Sequence, residues 1–247
     1  MNILVRAAKG YSERARAERA EIFRELFKID QDTKVLDLGS ESGVHIEQVL
    51  AGSGIKPENV YIADIEREAV DEGSRRFGFT PIVIDESGPL PFPDKFFDIV
   101  HCSSVLEHVT VPKGDIWAIH SAKQFRKLST DAQSAFSQEI RRIGKQYYVQ
   151  TPNKWFPIES HSWLPFVGWL PRRLLIPFLR LTNSFWVKKT SPDWNLLDAK
   201  ALSRMFGGAP IVKERSFGMV KSITAIKCFN TGKHSAKDDT RTHSSVE

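Results

Sequence analysis

Short apolar runs alternate with amphipathic stretches along most of this chain. Residues 12–28 place Ala15, Ile22, Phe23, Leu26 and Phe27 at near-helical spacing, with charges on the other face and Ser12 set as an N-cap. The pattern predicts a leading amphipathic helix. Residues 34–38 form an apolar run (Val35, Leu36, Leu38) that stops at Gly39, the signature of a buried strand entering a tight turn. A helix is expected from about 43 to 51, closed by Gly52. The same alternation then repeats. Strands are expected at 60–63 ending at Asp64, at 81–84 ending at Asp85, at 97–102 and at 146–150, with a helix over 66–77 closed by Gly78. Strands alternating with helices argue for a mostly parallel α/β sheet.

The pattern changes in the second half. Residues 131–143 read as helix, while 112–130 are either helix or an added loop. Residues 152–194 are dense in proline and hold five of the six tryptophans. That is too proline-rich for one continuous helix and too aromatic for a linker. It reads as an inserted cap. Residues 198–206 return to helix, and 211–217 with 220–229 form a strand pair joined at Gly218, expected to be an antiparallel hairpin. The polar tail from 231 to 247 is expected to be disordered, so that 1–230 form a single domain.

Composition adds bounds rather than direction. The chain has 247 residues, 35 basic against 30 acidic side chains and a net charge of +5. That imbalance is too slight to imply a nucleic-acid partner. The two cysteines, Cys102 and Cys228, make no disulfide or metal framework, and no metal is expected; a reducing cytoplasm is the simplest setting. The first ten residues lack the apolar core of a secretory signal.

Candidate chemistry gathers at the strand ends. The strand, the turn at Gly39 and the following helix start would present unpaired N–H groups to a polar ligand. The spacing Asp37-x-Gly39-x-x-x-Gly43 resembles the first motif of the class I S-adenosylmethionine-dependent methyltransferases, in particular the type 11-like bacterial small-molecule subset. Their usual form is Asp-x-Gly-x-Gly-x-Gly, so Glu41 stands where a glycine is expected. Glu41 could lie along the pocket, face solvent, or mark an impaired site. The resemblance extends to Leu90-Pro91-Phe92 followed by Phe97-Asp98-Ile99-Val100, to the Glu107-His108 pair, and to Thr151-Pro152-Asn153-Lys154-Trp155-Phe156-Pro157 with Glu159 and His161. It implies a Rossmann-like seven-stranded sheet with a C-terminal antiparallel hairpin, and S-adenosylmethionine as cofactor. Asp37, Gly39, Ser40, Glu41, Gly43, Asp64, Ile65, Asp85, Glu86 and Ser103 would line the cofactor, with Asp64 on the ribose and Asp85 or Glu86 near the adenine. His108 and His161 are the candidate bases, and Asn153 and Glu159 candidate acceptor ligands.

The expected function is methyl transfer to a small-molecule or lipid-linked acceptor, at oxygen, because a histidine base suits a hydroxyl. Nucleic acid is not expected as a partner. Residues 163–187 mix tryptophan, aliphatics and arginine, a composition suited either to a lid or to peripheral membrane contact. Two rivals stand beside this reading. A doubly wound oxidoreductase would want a third glycine where Ile46 stands. A non-catalytic cofactor-binding or membrane-associated module would use the aromatic segment alone.

Overall fold

The computed structural model describes residues 3–86 and 88–229, with side chains from Ala15 onward. The expected tail at 231–247 lies outside the described residues. Seven strands form one sheet: β1 (Val35–Leu38), β2 (Val60–Asp64), β3 (Thr80–Val83), β4 (Phe97–Ser103), β5 (Gly144–Pro152), β6 (Ile211–Ser216) and β7 (Met219–Lys227). Their order is β3-β2-β1-β4-β5-β7-β6. β1 pairs in parallel with β2 and β4, β2 pairs in parallel with β3, and β6–β7 is the antiparallel hairpin. The Rossmann-like mixed sheet expected from the sequence is therefore present. The described residues form two compact units, one of residues up to His101 with Gly144–Tyr148 and Cys228–Phe229, the other of Cys102–Ile143 and Val149–Lys227.

In the first unit the elements follow from residue choice. Every residue of β1 is buried, as an interior parallel strand requires. β3 alternates between half-buried and exposed and carries Pro81, which an edge strand tolerates because one row of its N–H groups needs no ladder partner. Helix α1 spans Ile3–Leu26, so it begins well before Ser12, which is not its cap. Helix α2 covers only Val44–Leu50. Helix α3 (Arg67–Phe77) ends at Gly78, whose φ of 76° and N–H bond to the Ser74 carbonyl make a glycine C-cap.

In the second unit, helix α4 runs from Ala122 to Ile143, nine residues longer at its N-terminal end than the firm part of the sequence pattern. Its inward stripe of Phe125, Ser129, Gln133 and Ser137 is buried but mostly polar, which hid the helical period. Gln133 Nε2 donates to the carbonyls of Leu106 and Asn195, both at 2.9 Å, so the polar stripe is satisfied there. Helix α5 (Arg172–Thr182) lies inside the proline-rich segment and contains Pro177. Val167, Leu175, Leu179 and Trp194 make its own small core. Helix α6 (Ala199–Met205) starts on Asp198, whose side chain accepts the Ala201 N–H at 2.8 Å. No described helix is long and apolar enough to cross a membrane.

Candidate active site

In the first unit, β1 ends in a turn held from beneath by β2. The Gly39 N–H donates to the Ala63 carbonyl at 2.8 Å, and Gly39 has φ of 76°. Gly43 closes the turn with φ of 72°, and a Cβ there would lie 3.1 Å from Ile62 Cγ2. Between them Glu41 adopts φ of 51°, a left-handed conformation that glycine takes freely and other residues resist. The side chain of Glu41 is exposed. The glycine expected at this place is thus accounted for by backbone conformation.

Asp64, at the end of β2, is the pivot of the turn. Its Oδ2 accepts the Glu41 N–H at 2.8 Å, and its Oδ1 accepts the Glu66 N–H at 3.2 Å. Each carboxylate oxygen keeps a second lone pair for a diol. Ser40 Oγ is buried with no hydrogen-bond partner among the described residues. Asp37 is committed elsewhere: it is buried and its Oδ1 lies 2.6 Å from His101 Nδ1, joining β1 to β4. Ile65, Asp85 and Glu86 are exposed beyond β2 and β3. Helix α2 is only seven residues long, and the N–H groups of Gly39, Ser40, Glu41 and Gly43 are already donated within the fold, to the Ala63 carbonyl, Asp64 and the Ser40 carbonyl, so the unpaired N–H groups expected of the turn are not found at these four positions.

In the second unit, β4 ends at Ser103, whose hydroxyl donates to Gln150 Oε1 at 2.8 Å; Ser104 Oγ reaches the same atom at 3.1 Å. A 3-10 turn over Leu106–His108 then sets Glu107 and His108. Glu107 is fully buried. Its Oε2 accepts the Thr151 hydroxyl at 2.9 Å, while Oε1 has no hydrogen-bond partner among the described residues. His108 is about one-third exposed, and its Nδ1 lies 3.1 Å from Asp193 Oδ2. His161 meets His108 edge to face, ring centroids 4.4 Å apart, and stacks on Trp194.

Glu159 is buried beneath His161. Its Oε1 lies 2.5 Å from His161 Nδ1 and accepts the His161 N–H, while Oε2 accepts the Ser162 N–H at 2.6 Å. Burial works against charge on both partners, yet their attraction prevails. The Glu159 carboxyl is held below its ordinary value. The His161 pKa is raised to about 9, burial lowering it and the Glu107 and Glu159 carboxylates more than reversing that. Asp193 is likewise lowered, burial opposing and His108 prevailing. Asn153 is also buried, and its amide donates to the Val220 carbonyl at 2.8 Å. The structure therefore brings His108 and His161 together, and gives Glu159 and Asn153 partners within the fold. Sequence reading missed Asp193 as the partner of His108 and Thr151 as that of Glu107; only the Glu107-His108 adjacency was visible.

Residues 11–163 match the family model of a methyltransferase domain. The chain belongs to this methyltransferase family. Solved structures share the fold of this methyltransferase. They include the magnesium protoporphyrin IX methyltransferase ChlM of Synechocystis with bound SAH, at 13% identity and TM-score 0.51, covering 92% of this chain and 88% of that one. An S-adenosylmethionine-dependent methyltransferase of Clostridium acetobutylicum aligns at 10% identity and TM-score 0.52, over 91% and 98% of the two chains. No curated protein matches the sequence. The methyltransferase is thus S-adenosylmethionine-dependent, as the motif spacing implied, and the oxidoreductase alternative falls away. Its turn suits that cofactor, with an unpartnered Ser40 hydroxyl and the Asp64 carboxylate at one edge.

Proposed function

We propose that this methyltransferase transfers its methyl group to a hydroxyl oxygen of a small-molecule or lipid-linked acceptor. The observation that carries the reading is His108, an accessible imidazole whose Nδ1 is fixed by the half-buried Asp193 carboxylate. That pairing sets Nε2 as the proton acceptor and stabilises the imidazolium that forms. His161, already protonated between two carboxylates, is poorly suited to be the base and instead holds the geometry. Glu159 and Asn153 position the loop after β5.

On the cofactor side, Ser40, Glu41 and Gly43 would border the amino-acid part, Asp64 the ribose diol, and Asp85, Glu86 and Ile65 the adenine. Asp37 and Ser103 would act by holding β1 and β4. The bound cofactor supplies a methyl on a positively charged sulfur, already an activated leaving group, so the protein's task is mainly positioning and water exclusion. An apolar acceptor is favoured by α5, where Leu174, Phe178 and Leu181 are exposed along one face, with Arg173 and Arg180 beside them.

The test is an acceptor screen with methyl-labelled S-adenosylmethionine against aqueous and lipid extracts, followed by His108→Gln. Turnover on the acceptor found should fall about 100-fold with cofactor affinity unchanged. Methylation at nitrogen or carbon, or full turnover by His108→Gln, would refute the oxygen-and-base reading.

A further inference from the structure

The cluster after β4 holds more polar chemistry than a single base requires. Glu107, His108 and His161 each turn one ligating atom inward, and these atoms all lie within 4.8 Å of one another. The Nδ1 atoms of both imidazoles are already taken by Asp193 and Glu159, which leaves the Nε2 atoms to ligate. Glu107 Oε1 faces His161 Nε2 at 3.7 Å, an ion pair too long for a hydrogen bond, and is buried with no hydrogen-bond partner among the described residues. A fully buried carboxylate oxygen without a donor is costly, and a cation between it and the imidazoles removes that cost.

From this geometry we infer that Glu107 Oε1, His108 Nε2 and His161 Nε2 form a binding site for a divalent first-row transition ion, with Zn2+ the best match. Two imidazoles and one carboxylate are a known donor set for zinc sites that keep an open position. Tetrahedral ligand atoms at ordinary bond lengths stand about 3.4 Å apart, so the present spread closes with shifts of about an ångström. The outer partners are in place as well. Asp193 orients His108, Glu159 orients His161, and the Thr151 hydroxyl holds the second oxygen of Glu107. Exposure of His108 gives the ion a way in. On binding, the ion displaces the Nε2 proton of His161, and the remaining positions are filled by water or by an oxygen of the acceptor.

The site does not depend on the acceptor proposed above. Where an ion is bound, His108 serves as a ligand, and an oxygen on the ion is acidified by the metal charge in place of a histidine base. The cluster was not legible as a metal site in the sequence, where no metal was expected, because Glu107, His108 and His161 share no recognisable ligand spacing.

The test uses the untagged full chain, stripped with a chelator and titrated calorimetrically with Zn2+, then with Co2+ while its visible absorption is followed. One ion per chain is expected, with Co2+ bands of a four- or five-coordinate site. His108→Ala and Glu107→Gln should abolish saturable binding, Asp193→Asn should weaken it about 10- to 100-fold, and His120→Ala should leave it unchanged. Melting curves show that each variant is folded; because His108 is partly exposed, His108→Ala keeps the test valid if Glu107→Gln fails to fold. S-adenosylmethionine is titrated separately, so loss of the methyltransferase reading would show there alone. Absence of saturable binding by the wild type, or wild-type binding by His108→Ala, would overturn the site and leave a purely internal histidine–carboxylate network.

Discussion

Glu41 shows how a departure from a motif is read at the residue scale. The sequence marked it as the anomaly of the glycine turn, and its φ of 51° gives the reason a glycine is usual there. A left-handed non-glycine residue costs about 1–2 kcal/mol, partly offset by the chain entropy of glycine. Glu41→Gly should therefore raise stability by up to about 1 kcal/mol, read by denaturant melts, with S-adenosylmethionine affinity equal or tighter. A large loss of affinity would make Glu41 itself a ligand. Behind the turn, His45 is half-buried, its Nδ1 enclosed and without a hydrogen-bond partner among the described residues. Burial first, then the adjacent His101, lowers its pKa to about 4. The sign follows directly: the unfolded chain takes up this proton near pH 6.5 and the folded chain does not. The contribution, on the order of 3 kcal/mol, is full above pH 6.5 and is lost as pH falls toward 4. His45→Phe should flatten the acid limb of stability over that window, and an unchanged limb would contradict the burial argument.

The elements were legible where the period was apolar and obscure where it was not. β1, β2, β4 and the closing hairpin follow directly from runs such as Val35-Leu36 and from Gly218. The first turns of α4 did not, because Ser129, Gln133 and Ser137 face inward and bury polar atoms. The partners of Gln133, the carbonyls of Leu106 and Asn195, come from distant parts of the chain. α3 approaches the glycine turn closely at Gly73, where an added Cβ would stand 2.5 Å from the Ser42 carbonyl and 2.6 Å from Ile62 Cδ1. Gly73→Ala should therefore cost about 1–3 kcal/mol and weaken cofactor binding by displacing the turn; an unaffected melting temperature would show that α3 can shift freely. In the proline-rich segment, the buried Arg172 donates to the carbonyls of Ile116, Ile119 and Pro192 and lies over the Phe125 ring at 3.6 Å. Burial lowers its pKa to about 10. Arg172→Met leaves those carbonyls without donors and should destabilise the second unit by about 3 kcal/mol or more, measured by thermal unfolding.

At the scale of the whole molecule, the family and the sheet order are those of a methyltransferase, and the residues proposed for the cofactor were more legible than those proposed for the acceptor. The former rest on local spacing, Asp37 to Gly43 and then Asp64, which a sequence displays. The latter rest on pairings such as His108 with Asp193, 85 residues apart, which no local pattern reveals. We propose that the Gly39–Gly43 turn and Asp64 bind S-adenosylmethionine. Calorimetric titration of wild type and Asp64→Ala with S-adenosylmethionine, and with NAD as control, tests it most directly. One saturable S-adenosylmethionine site is expected, weakened at least about 10-fold in Asp64→Ala, with no NAD binding. Equal affinity in a folded Asp64→Ala variant, or binding of NAD alone, would contradict it.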